Sequence, residues 1–149
     1  MKQWDQSRQA HEQSLSRFPQ STWVNDARYG IGWAWQNQKQ YDQAVNIYNQ
    51  IIASTAAEVA ARAQLNIGLC RLEQKKYIES ANAFLIVSTT YDYPELTAAS
   101  LTEAARAYAG LKEHAKAERL LRRVLKDHPK SHWAEVAQER LKEVMDQKQ

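Results

Sequence analysis

The stretch GWAWQNQKQYDQAVNIYNQI, Gly32 to Ile51, decides how the whole chain is read. Gly32, Trp35, Tyr41, Ala44, Tyr48 and Ile51 are two short apolar-periodic segments broken by the polar turn Gln36-Asn37-Gln38-Lys39-Gln40. The pattern returns 36 residues later at Gly68, Tyr77, Ser80, Phe84 and Val87, and 37 residues after that at Ala105, His114, Ala117, Leu121 and Val124. Self-similarity at this period is the mark of a solenoid of stacked helical hairpins, in which each unit buries its apolar face only against its neighbours.

Outward from that stretch, the same three- and four-residue periodicity predicts eight helices and no strand. They cover about residues 3–17, 22–36, 41–53, 56–74, 77–90, 95–110, 114–127 and 133–145. Ser21 or Thr22 is positioned to cap the second helix, and Thr55-Ala56-Ala57-Glu58 has the spacing of a capping box for the fourth. Ile78, Ala81, Phe84, Leu85 and Val87 form the expected apolar stripe of the fifth. Gly30 and Gly32 each cost a helix about 1 kcal/mol relative to alanine, and close approach of a partner helix is expected at Gly32 and at Gly68, its counterpart in the next unit. The last helix should bury Trp133, Val136, Ala137, Leu141 and Val144 and turn Glu135, Gln138, Glu139, Lys142 and Glu143 outward, as a cap does.

These residues resemble the tetratricopeptide repeat. Ile31-Gly32 with Trp35, then Ala44 and Tyr48, fits its pattern in a first unit. Ile67-Gly68 with Phe84 fits in a second, and Ala104-Ala105 with Tyr108, Ala117 and Pro129 in a third. Arg71 stands in place of an aromatic and Ser80 in place of alanine. The resemblance implies an all-α, right-handed superhelical solenoid in one domain: a half repeat over 1–20, repeats over 21–55, 56–93 and 94–130, and a capping helix over 131–149. The half repeat suggests a piece of a longer protein with Met1 as an added initiator. The period and the segment Asp127-His128-Pro129-Lys130-Ser131 are similar to bacterial cell-envelope members of the Tol-Pal coordinator and outer-membrane assembly lipoprotein type. A periplasmic or envelope location is therefore favoured, with the cytoplasm left open.

In this family the first helices of the hairpins line a concave groove. The resemblance maps that lining onto Asp26, Tyr29, Trp33, Gln36 and Asn37, then Arg62, Leu65, Leu69 and Leu72, then Ala99, Thr102 and Arg106. Of these, Tyr29, Trp33, Gln36, Arg62, Leu65, Leu69, Leu72 and Arg106 are the expected partner contacts, with Arg62 and Arg106 as polar anchors. The competing reading packs Tyr29 and Trp33 against the first helix. The family's carboxylate clamp is not matched: only Asn66 fits, whereas Tyr29, Trp33, Ala99 and Glu103 occupy its other positions. The function implied is a non-catalytic module binding a protein or peptide. The alternative is a self-associating structural module, giving a homo-oligomer.

Composition narrows the other classes. Twenty basic against 17 acidic residues give a net charge of +3, far below the clustered excess of a nucleic-acid binder. A hydrophobic content of 44% suits a folded, helix-rich chain. No run of apolar residues is long enough to span a membrane. Lys112, Lys116, Arg119, Arg123 and Lys126 recur along one helix side and read as a solvated face. Cys70, the single cysteine, lies among apolar neighbours as a buried thiol does. His128 and His132 straddle Pro129 with no carboxylate completing a motif, so no metal, cofactor or catalytic set is expected.

Overall fold

The computed structural model of the protein describes residues 2–147, with side chains from Gln3 onward. Met1 and the last two residues assigned to the cap lie outside the described residues. The helices are α1 (Lys2–Arg17), α2 (Val24–Asn37), α3 (Tyr41–Ser54), α4 (Glu58–Glu73), α5 (Tyr77–Thr90), α6 (Pro94–Gly110), α7 (His114–Asp127) and α8 (Trp133–Asp146). Each packs on the next in sequence, as expected of a helical-repeat solenoid.

Three of the turns are copies of one another. Lys39, Lys75 and Lys112, spaced by the repeat, hold positive φ values of 61°, 59° and 61°. In each turn the next residue donates its N–H back to a carbonyl five positions earlier: Gln40 to Trp35, Lys76 to Arg71 and Glu113 to Tyr108, all at 2.9 Å. This arrangement satisfies the last free carbonyls of the helix and reverses the chain.

Small residues set the spacing inside the hairpins. A Cβ added at Gly32 would lie 2.6 Å from the Tyr48 ring, and one at Gly68 would lie 2.5 Å from the Phe84 ring. Both rings are fully buried, so the glycines are close-approach positions, as the repeat pattern led us to expect. In the third hairpin the corresponding pair is Ala105 with Leu121. Ser80, which replaces alanine, is fully buried and donates its hydroxyl to the Gly68 carbonyl at 2.9 Å. The departure is tolerated because its polar group is paired. Arg71 replaces an aromatic by tying three helices together, reaching Asp42 at 2.8 Å and Glu79 at 3.1 Å.

Some local expectations fail. Helix α4 begins at Glu58, preceded by Ala57, so no capping box forms. Thr55 instead accepts the Ala57 N–H at 3.1 Å and shapes the turn. Ser21 likewise accepts the Trp23 N–H at 3.2 Å, two residues before the N-cap position that Trp23 occupies, and no side chain caps α2. Ile78 is 64% exposed, because the inward positions of α5 are filled by Ser80, Ala81, Phe84 and Val87. On α8, Ala137, Leu141 and Val144 are buried, Trp133 and Val136 are half-buried, and Glu135, Gln138, Glu139, Lys142 and Glu143 face solvent.

Candidate interaction surface

Contacts beyond the sequence neighbour reveal which side of the solenoid is inner. Among the described residues α2 touches α4, α4 touches α6 and α6 touches α8, whereas α1, α3, α5 and α7 do not touch one another. The even-numbered helices are therefore crowded together and form the inner layer. Their outward-turned faces meet as one surface.

On α2, Trp33 is 45% exposed. Its ring meets the edge of Trp4 from α1, with centroids 4.8 Å apart and planes at 86°. Trp33 thus leans on the first helix, as the competing reading has it, and still offers nearly half its surface to solvent. Tyr29 is half-buried, and its hydroxyl accepts the amide of Asn66 at 2.5 Å, which ties α2 to α4. The Arg62 guanidinium stacks 4.8 Å from the Tyr29 ring centre. Leu65 and Leu69 on α4 are half-buried against the core. The backbone periodicity places Tyr29 above Trp33 and Leu65 above Leu69, so this end of the inner surface is apolar and aromatic.

Three other expected positions are not open to a partner. Leu72 is only 5% exposed and belongs to the core, because the inner layer closes over it between α4 and α6. Ala99 is buried, and Thr102 is fully buried, bonding its hydroxyl to the Ala98 carbonyl at 2.8 Å. Gln36 is half-buried and accepts the Tyr48 hydroxyl at 2.9 Å, so its side chain is committed to packing. Asp26 and Asn37 are exposed.

The far end of the inner surface is charged, and sequence reasoning missed most of it. Glu103, its side chain 5% exposed, accepts from Arg140 of α8 at 2.8 Å and from Arg106 at 3.2 Å. Arg106 also reaches Glu73 of α4 at 3.4 Å, so four charges link three inner helices. The signal was present in the repeat: Asn66, Glu103 and Arg140 occupy one register position, and each pairs with a neighbouring inner helix.

The remaining chemistry-bearing groups do not converge. Burial pushes the Cys70 thiol up to about 12, the behaviour of an inert core cysteine. His132 is exposed and lies 3.4 Å from Glu95. Among the described residues no group of three or more His, Cys, Asp or Glu could hold a metal ion. Lys112, Lys116, Arg119, Arg123 and Lys126 are all exposed.

With the geometry in place, comparison with known families gives a match to the tetratricopeptide repeat over residues 26–54 and 99–131. Those two segments are similar to tetratricopeptide repeats. Such repeats are non-catalytic modules that mediate protein–protein interaction. The hairpin α4–α5 lies between the matched segments and is the one carrying Arg71 and Ser80. Comparison with curated proteins finds no match. Among the described residues no helix is long and apolar enough to cross a membrane.

Proposed function

We propose that the inner surface binds an extended or helical segment of a partner protein, anchored on Tyr29, Trp33, Leu65 and Leu69. The observation that carries this reading is the 45% exposure of Trp33 beside two half-buried leucines. A tryptophan left half in water on an inner face is an anchor awaiting an apolar side chain, and binding energy concentrates on such residues. Arg62, held over Tyr29, adds a donor at the rim. The likeness to cell-envelope members makes that compartment the place to look for the partner.

The test is capture of partners from native envelope extracts by the wild-type chain and by Trp33→Ala and Leu69→Ala, followed by titration of the captured protein. Loss of about 2 kcal/mol or more with Trp33→Ala, the melting temperature being retained, supports the site. Binding indifferent to both variants moves it off the inner surface. A mass that grows with protein concentration, and falls with Trp33→Ala, would replace the foreign partner by a second copy.

A further inference from the structure

The third hairpin carries smaller side chains at its inner crossing than the first two. In the first, Tyr48 crosses at Gly32 and its hydroxyl meets Gln36. In the second, Phe84 crosses at Gly68, and Leu72 stands where Gln36 did. In the third, the same three positions hold Ala105, Leu121 and Ala109, so a long aromatic becomes a leucine and its long neighbour becomes an alanine. What remains is a cleft of about 270 Å³ between α6 and α8, floored by Ala105, Ala109, Leu121 and Val144. Its mouth is rimmed by Arg106, Arg140 and Glu143.

We infer that this cleft is a second anchoring subsite, taking one uncharged apolar side chain of leucine size from the segment bound on the inner surface. The inference rests on the function proposed above and adds the partner's chemistry. A volume of 270 Å³ falls below the roughly 300–1,000 Å³ of small-molecule sites, so a single side chain suits it better than a whole ligand. The rim selects further. Arg106 and Arg140 are donors only, so the occupant must bring acceptors. Yet the two guanidiniums face three carboxylates, Glu73, Glu103 and Glu143, and a rim with this excess of negative charge disfavours an acidic residue. Backbone carbonyls of an extended segment meet both conditions: they accept from the guanidiniums and carry no charge.

The probe is the peptide acetyl-Gly-Gln-Leu-Gln-Gly-amide, titrated into the full ¹⁵N-labelled chain and followed by amide chemical shifts. Shifts are expected at Ala105, Ala109 and Val144, with affinity falling roughly tenfold when the peptide leucine becomes alanine. Ala109→Leu should abolish those shifts without lowering the melting temperature, because it recreates the Leu72 packing of the second hairpin. The peptide-side substitution tests the same point without touching the fold. Shifts confined to the surroundings of Trp33 and Leu69, unchanged by Ala109→Leu, overturn the cleft while leaving the proposed function standing. Shifts in the cleft together with partner binding indifferent to Trp33→Ala retain the subsite and overturn the anchoring strip. No shifts at millimolar peptide, or tighter binding of a version with glutamate for glutamine, overturn the subsite as described.

Discussion

Arg140 of α8 donates to the carboxylate of Glu103 of α6 at 2.8 Å, in a pair whose acid is almost wholly removed from solvent. Arg140 also donates to the Thr102 carbonyl at 3.2 Å, so the guanidinium fastens the last helix to both a side chain and the backbone. Breaking one partner of such a pair leaves a buried charge short of compensation. Arg140→Ala is expected to destabilise the protein by about 3 kcal/mol, read as a lowered denaturant midpoint. Glu103→Leu should cost less, because it removes the buried charge along with the bond. A larger loss for Glu103→Leu would show that the pair is not what secures α8.

Gly68→Leu should lower the melting temperature. The added side chain would start 2.5 Å from a fully buried Phe84 ring that has nowhere to move. Overpacking of this kind costs about 1–3 kcal/mol. Thermal unfolding checks it, with Gly110 as comparison: a Cβ there would also meet a ring, that of Tyr77, but Gly110 is exposed and Tyr77 only half-buried. Gly110→Ala is expected to be the milder change.

Lys75→Gly should raise stability. Lysine at φ 59° occupies a left-handed conformation that glycine adopts without the clash of a Cβ. The native state then gains about 1 kcal/mol, offset in part by the larger conformational entropy of glycine in the unfolded chain. Chemical denaturation of Lys39→Gly, Lys75→Gly and Lys112→Gly should show gains of the same sign, since the three turns share one geometry.

Acid should weaken the contact between hairpins at Asp42. Hydrogen bonds from Arg71 and then Gln74 hold its carboxyl below the ordinary aspartate value. The folded state thus favours the ionised form, and the stabilisation is fully present above the unfolded pKa, at about pH 4. It is lost as pH falls through the lower folded value. Asp42→Asn should therefore be less stable than wild type at neutral pH, and the gap should close as pH is lowered below that of free aspartate. A gap independent of pH would mean that the Arg71 contact is not ionic in origin.

Cys70 should resist thiol reagents in the native protein. It is fully buried and its pKa is pushed up to about 12 by desolvation, so almost no thiolate exists at neutral pH. Labelling by an aromatic disulfide should appear only on unfolding, and rapid labelling of the folded chain would contradict its placement.

Much of the solenoid could be read from residue spacing, because helix packing inside a hairpin depends on side chains at fixed intervals. Gly32 and Gly68 stand one hairpin turn before Tyr48 and Phe84, and no fold-level information is needed to expect a close crossing there. The capping box at Thr55 was misread for a local reason. The motif's spacing was right, but Ala57 is extended and occupies the N-cap position itself, so α4 starts at the residue expected to be its third.

The inner surface was legible only in part. The exposure of Trp33 followed from register, since its counterparts Arg106 and Glu143 are exposed too and Leu69 is half-buried, whereas the register of Tyr29 and Leu65 places Thr102 fully inside the third unit. Leu72, Ala99 and Thr102 occupy equally plausible positions, but their burial depends on how closely α4, α6 and α8 approach one another. Adjacent repeats set that distance jointly, and periodicity within one helix does not contain it.

By itself the amino-acid sequence determined the repeat, the helices and the glycine crossings, because each rests on contacts between residues a fixed number of positions apart. Only the tertiary structure decided that Glu103 and Arg140 would meet across 37 residues, that Leu72 would be sealed into the core, and that shortened side chains at Ala109 and Leu121 would leave a cleft. These are matters of volume and distance between neighbouring units. They take definite values only when the hairpins are stacked.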